Sequence, residues 1–404
     1  MQHSNFTSRL LAAGITVFTL AGCAATKQAS FKKDPALLQT IEQEFKDGDA
    51  QYQVLMKALP EDKFPKTFFP KTGKHEFSGS GWWCSGFYPG TLFYLHEQTK
   101  NPVLEKELTR ILKPLEKEQF NKTTHDLGFM MFCSFGNVYL KNPTPEYKQI
   151  LINSAKSLAS RFNPTVGCIR SWDSRNNDFL VIIDNMMNLE LLFWATKETG
   201  DSSFYNIAVT HANTTMKNHF RPDFSSYHVI NYNATDGSVK QKKTAQGYSD
   251  ASAWARGQAW GLYGFTVMYR ATKDKKYLEQ AEHIADFILN HPNLPADKIP
   301  YWDFNAPDIP KALRDASAGA VMAAAFMELY KYTGKEKAKT YYNAGETMIR
   351  SLSAAPYNAA PGTNGGFILQ HSVGHIPQGT EVDVPLTYAD YYYVEAMKRY
   401  KENR

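Results

Sequence analysis

The chain has 404 residues, a formal net charge of +5 and a composition rich in rings, with 25 Phe, 23 Tyr and 7 Trp. That length suits one large domain or two ordinary ones. The charge is mild and mixed in sign, and no basic tract could neutralise a run of phosphates, which excludes nucleic acid as a partner. The aromatic content fits a large packed core or a cleft that stacks sugar rings.

The N-terminus reads as a targeting segment. Arg9 precedes the apolar run LLAAGITVFTLAG, which is too short to span a bilayer. The run ends at Leu20-Ala21-Gly22-Cys23, which resembles the lipobox of bacterial lipoproteins, whose Cys becomes the lipidated first residue. An ordinary signal peptide with an incidental Cys is the alternative. The expectation is a signal segment at 1–22, lipidation at Cys23, a tether at 23–33 and a single domain at 34–404. The mature protein would then sit in the bacterial cell envelope, facing the periplasm and touching the membrane only through its lipid. Cys84, Cys133 and Cys168 have no CxxC spacing and no zinc-finger histidines, so buried free thiols are expected, with one disulfide as the alternative.

Helical periodicity dominates the rest. The first helix is expected over 35–59, with Asp34 as its cap and Pro35 at its first position. Further helices are expected near 87–99, 101–118, 126–141, 145–162, 183–198, 202–218, 251–273, 275–291, 312–334, 336–353 and 386–401. Alternating strand pattern is confined to long connections such as YHVINYNATDGSV. Every second helix is apolar on nearly all faces, whereas its partners, such as 145–162 and 275–291, keep a Lys/Glu face. A helix apolar all round is buried; an amphipathic one has a wet side. Six buried helices alternating with six half-wet ones make an all-α fold, an (α/α)6 barrel, with an open α-solenoid as the alternative.

Short antiparallel connections force the inner helices to run the same way, so their N-termini meet at one mouth. The residues that stand out cluster there: Trp83, His125 and Asp126, Asp184, Asp250 to Arg256, Asp315 and Ser317, Asp383 and Tyr388. Asp126 and Asp184 start two inner helices, read as two repeats apart, and converge. A helix cap is the bland reading of each Asp. Two carboxylates in a partly desolvated pocket cannot both ionise cheaply, so one keeps a proton for acid/base work on a sugar. Trp82, Trp83, Phe87, Trp172, Trp254 and Trp260 would line the mouth, with His228 and Gln246 overhanging it. Arg256 could grip a sugar carboxylate in a bidentate fork or pair with Asp250. His371 and His375 stand four apart, but the glycine and proline around them favour loop histidines over a metal site. No Walker loop, GxGxxG, GxSxG or HExxH occurs, and nothing calls for a metal or organic cofactor.

The stretches WWCSGFYPG, HDLGFMMFCSFG, IIDNMMNLELL, QGYSDASAWARGQAWGLYGF and DYYYVEAM resemble those of unsaturated glucuronyl hydrolases, glycoside hydrolase family 88, from about residue 35 to the C-terminus. The resemblance implies an (α/α)6 barrel acting on lyase-generated glycosaminoglycan oligosaccharides that end in a 4,5-unsaturated uronic acid. It implies hydration of the C4=C5 double bond, so the rule relating carboxylate separation to stereochemistry does not apply. By matching motif, Asp184 resembles the general acid/base and Asp126 the second essential carboxylate. His125, Gln246, His228, Trp172 and Arg256 fall at pocket positions, and Trp83, Phe87, Trp254 and Trp260 at stacking walls. Family members that take sulfated substrates carry a Ser and Lys cluster before the last helix. Here Ser372 is present without a following Lys, which leaves heparin-, chondroitin- and hyaluronan-derived substrates open. The alternatives are an unsaturated rhamnogalacturonyl hydrolase acting on pectin fragments and a non-catalytic surface glycan-binding protein.

Overall fold

A computed structural model describes residues 31–174 and 178–402; the expected signal segment and Cys23 lie outside the described residues. The helices are α1 (Pro35–Ala58), α2 (Phe87–Thr99), α3 (Pro102–Leu115), α4 (Asn137–Lys141), α5 (Pro145–Ala159), α6 (Leu189–Thr199), α7 (Ser202–Asn218), α8 (Ala255–Thr272), α9 (Lys275–Asn290), α10 (Ala316–Leu329), α11 (Lys335–Leu352) and α12 (Thr387–Glu402). Asp34 caps α1 as expected, accepting from the Ala36 N–H at 2.8 Å ahead of Pro35. Two of the expected inner helices start irregularly. The fourth opens as a π-helical segment, Gly128–Gly136, before α4, and the sixth as a 3-10 turn, Ile183–Asn188, before α6.

The inner staves are α2, the π segment with α4, the 3-10 turn with α6, α8, α10 and α12, and each packs on the next until α12 returns to α2. The ring is closed, so the barrel holds and the open solenoid falls away. Ala-rich α10 is buried along all 14 residues because small side chains let its neighbours approach from every side. Its amphipathic partner α11 lies outside with an exposed Lys/Glu face. Asp126 and Asp184 were read as two repeats apart, but their staves are adjacent. The Phe129 N–H donates to Asn188 Oδ1 at 2.9 Å across that seam.

Inner helices pass to outer ones through turns such as 200–201 and 273–274, while returns such as 219–254 and 353–386 are long. All the long returns therefore gather at the mouth. They carry the strands β1 (Phe64–Phe69), β2 (Lys74–Ser78), β3 (Phe162–Asn163), β4 (Cys168–Ile169), β5 (Asp178–Ile182), β6 (Val229–Asn233), β7 (Val239–Lys243), β8 (Ser372–His375) and β9 (Thr380–Val384). β5, β6 and β7 form one antiparallel sheet, and β8 and β9 a hairpin. Cys84, Cys133 and Cys168 are free thiols. No helix among the described residues is long and apolar enough to cross a membrane.

Candidate active site

Strand register brings the first pair together. Ile182 of β5 faces Val229 of β6, and one step outward the Ile183 N–H donates to the His228 carbonyl at 3.0 Å. Asp184, the next residue, thus sits beside His228. The Asp184 side chain makes no helix-cap bond, so the cap reading fails there. Its Oδ2 is buried without a hydrogen-bond partner and lies 3.7 Å from His228 Nε2. His228 Nδ1 accepts from two backbone N–H groups, Ala245 at 3.1 Å and Gln246 at 3.2 Å. The neutral ring therefore carries its proton on Nε2, aimed toward Asp184. Burial, reinforced by Arg256, holds the imidazole far below its ordinary pKa.

Burial pushes the Asp184 carboxyl up to about 7; Arg256 opposes this, Asp126 adds to it, and the Trp260 indole opposes it. A buried carboxylic acid that is half protonated near neutral pH is what general acid catalysis needs.

Asp126 lies in the turn ahead of the π segment. Its Oδ2 accepts from the Thr124 hydroxyl at 2.8 Å, and its Oδ1 is 3.2 Å from His125 Nε2. It does not cap a helix either. His125 is buried, and its Nδ1 is 3.0 Å from the Ser171 carbonyl. A carbonyl only accepts, so Nδ1 holds the proton and Nε2 of the neutral ring is bare. Burial lowers this imidazole's pKa, partly offset by Asp126. Two acceptors, Nε2 and Oδ1, thus face one another, and a sugar hydroxyl could bridge them.

Arg256 departs from expectation. Its Nη1 donates to Asp315 Oδ2 at 3.2 Å and the Val373 carbonyl at 2.5 Å; its Nη2 donates to Gln246 Oε1 at 2.6 Å and the Gly374 carbonyl at 2.9 Å. Its four terminal hydrogens have four protein acceptors, so no bidentate fork is left for a ligand. Only Nε lacks a partner. Nor does it pair with Asp250, whose Oδ1 accepts from the Thr244 N–H at 2.8 Å. The guanidinium lies over the Trp254 ring, 4.5 Å from the centroid, and ties the Gln246 loop to β8 and the start of α10.

The aromatics divide by depth. Phe87 and Trp260 are fully buried and Trp254 nearly so, which makes Phe87 and Trp260 floor rather than walls. Trp83 and Trp172 are half-buried and can face a ring. Trp83 packs on Tyr388 with centroids 4.9 Å apart, and Trp172 stands edge-on to His228 at 6.0 Å. The sequence reading placed Tyr388 at the mouth without giving it a role. Its hydroxyl is buried and unpartnered, 5.3 Å separates its ring from the Arg256 guanidinium, and burial keeps it a neutral O–H donor. The sequence reading also missed Asp315 as the partner of Arg256, although its N-cap position before α10 was legible. His371 precedes β8 and His375 ends it, so the two share no α-helix face; His371 pairs with Asp383 at 2.7 Å, and His375 Nδ1 accepts from the Gln378 N–H, capping a 3-10 turn.

The opposite end of the barrel holds a charged cavity lined by Glu190, Arg270, Glu395 and Arg399. Its groups answer each other: Arg270 meets Glu190 at 2.8 Å, and Arg399 meets Glu395 at 3.0 Å. It reads as the barrel's lower seal.

Residues 55–271 match the Glycosyl Hydrolase Family 88. The chain is 44% identical over 398 residues to an unsaturated glucuronyl hydrolase of Formosa agariphila, covering 98% of this chain and 97% of the relative. It superposes with a TM-score of 0.87 on a crystal structure of an unsaturated glucuronyl hydrolase specific for heparin, 47% identical, covering 90% of this chain and 97% of that one. A UGL variant with dGlcA-Glc-Rha-Glc superposes with a TM-score of 0.84 at 26% identity, covering 89% and 97%. With a closed double ring of helices and a buried, proton-holding carboxyl at its mouth, the chain belongs to Glycosyl Hydrolase Family 88 and is a glycoside hydrolase.

Proposed function

We propose that the enzyme removes the 4,5-unsaturated uronic acid from the non-reducing end of lyase-generated glycosaminoglycan oligosaccharides, with Asp184 as general acid and base. The observation that carries the role of Asp184 is its carboxyl, buried, unpartnered at Oδ2 and raised to about 7. The C4=C5 bond of such a sugar is an enol ether. Asp184 gives its proton to C4, and positive charge develops across C5 and the ring oxygen. The resulting carboxylate takes a proton from water as the oxygen adds to C5. The hemiketal opens, and the next sugar leaves by rearrangement.

The other groups bind and orient. Asp126 Oδ1 and His125 Nε2 accept from ring hydroxyls; the free amide of Gln246, His228 Nε2–H and the Tyr388 hydroxyl donate. Trp83 and Trp172 hold the ring between them. Arg256 acts as a fixed positive charge behind this constellation, with Trp254 stacked on it, over the floor formed by Phe87 and Trp260. Heparin, named for one close relative, is the first substrate to try. Cys23 would carry the lipid that keeps the enzyme in the cell envelope. The decisive experiment follows the conjugated double bond's ultraviolet absorbance on adding enzyme to unsaturated heparin disaccharide in heavy water. Loss of absorbance with deuterium at C4 of the product supports the reading; cleavage with no label at C4 overturns it.

A further inference from the structure

We propose that Trp82 is a stacking platform on the rim of the pocket for the third sugar of a longer oligosaccharide. The inference rests on the proposed substrate class and adds a site outside the residues placed around Asp184.

Trp82 and Trp83 are neighbours in one tight turn. The Trp82 N–H donates to the Gly79 carbonyl at 3.2 Å, and the Trp82 carbonyl accepts from the Ser85 N–H at 2.9 Å. Trp83 turns inward onto Tyr388 and Phe129. Trp82 turns outward and leaves 41% of its surface exposed, the only tryptophan among the described residues with so much. An exposed ring alone would say little. This one is held: Lys66 Nζ stands 5.0 Å from the ring centroid. Lys66 is itself fixed by Glu76 at 2.6 Å and Glu381 at 3.6 Å, from the adjoining strands β2 and β9. The ammonium steadies the ring by cation–π attraction, so little motion is lost when a sugar settles on the exposed surface.

The platform is continuous with the pocket. Glu381, which holds Lys66, packs directly against Gly374, where a Cβ would stand 2.4 Å from its Oε2. The Gly374 carbonyl in turn accepts from Arg256 Nη2 at 2.9 Å. A chain whose first ring reaches Asp184 and whose later rings leave on the Trp83 side crosses this rim. The Lys66 charge is engaged by two carboxylates, so the platform reads the apolar face of a pyranose rather than its charge.

The test compares unsulfated, lyase-generated hyaluronan disaccharide and tetrasaccharide on three variants. Trp82→Ala should raise KM for the tetrasaccharide about tenfold, with kcat unchanged and the disaccharide within about twofold. Lys66→Met should give a smaller change of the same kind. Tyr248→Ala removes an aromatic 50% exposed on the loop before α8, across the ring from α2, and should leave the length dependence intact. Raising the salt should not alter the ratio of the two substrates. Equal losses on both lengths, no loss on either, or a length preference abolished by salt would overturn the platform. If the unaltered enzyme turned over neither substrate, the reading of hyaluronan as a substrate would fail. Calorimetric titration of the tetrasaccharide into the unaltered protein and Trp82→Ala would still decide the platform, with equal affinities counting against it.

Discussion

His228 Nε2 and Asp184 Oδ2 face each other across 3.7 Å, and only one of them holds a transferable proton. The histidine proton is locked in place by the two backbone N–H groups on Nδ1, and its pKa is far below the usual value. In the proposed mechanism Asp184 supplies the proton. Asp184→Asn should therefore lower kcat by about a thousandfold or more while substrate dissociation constants stay within a few-fold. Single-turnover kinetics with calorimetric binding checks this. Retention of a tenth of the activity would assign the proton elsewhere.

The rate should follow the acid form of Asp184. Activity should fall as pH rises through about 7, where this carboxyl ionises. Asp126 raises that pKa, so Asp126→Asn should move the descending limb to lower pH. A pH–rate profile of the variant's residual activity measures the shift, and an unmoved limb would remove Asp126 from the pair.

The same proton has a consequence for stability. The folded pKa of Asp184 is about 7 against an ordinary value of 3.8. Its contribution is fully present below the unfolded value and is lost as pH rises through the folded one. Asp390 and Glu44, also raised to about 7 by burial, act in the same direction. The thermal midpoint should fall between pH 5 and pH 8. Asp184→Asn should lose less of its midpoint than the unaltered protein between pH 5 and pH 8, by about 2 °C or more in scanning calorimetry.

Arg256 and Asp315 are buried together, so breaking the pair should cost more than removing it. Arg256→Met should destabilise by about 3–5 kcal/mol, because it strands the Asp315 charge. Arg256→Met with Asp315→Asn should recover part of that in denaturant unfolding.

Gly86 lies where α2 meets the π segment backbone to backbone. A Cβ there would stand 2.1 Å from the Phe129 carbonyl oxygen. Gly86→Ala should cost about 3 kcal/mol, whereas Gly79→Ala, with nothing within 4 Å, should be close to neutral. Thermal melts of the two variants compare them directly.

The helices were legible because burial on all faces versus one face is written into each segment, as in α10 against α11. The approach of Asp126 to Asp184 followed from that pattern, but their neighbouring staves were misjudged because periodicity gives helix type, not position round a ring. The irregular starts at Gly128 and Ile183 escaped detection because their apolar residues suit π, 3-10 and α turns alike. Arg256 shows the larger gap. Its partners Asp315, Val373 and Gly374 lie 59, 117 and 118 residues away, and only the folded ring brings them to one guanidinium. Depth was equally hidden: a Trp at a mouth and a Trp beneath it look the same in sequence.

The two ends of the domain meet. The Asp34 N–H donates to the Tyr400 hydroxyl at 2.9 Å, and Lys401 reaches Glu42 at 2.6 Å. α1 begins and α12 ends on the face away from the long returns. Any leash running upstream of Asp34 departs from the rear of the molecule. The opening is thereby left to the long returns alone, and neither end of the domain crosses the path a sugar chain would take to Asp184.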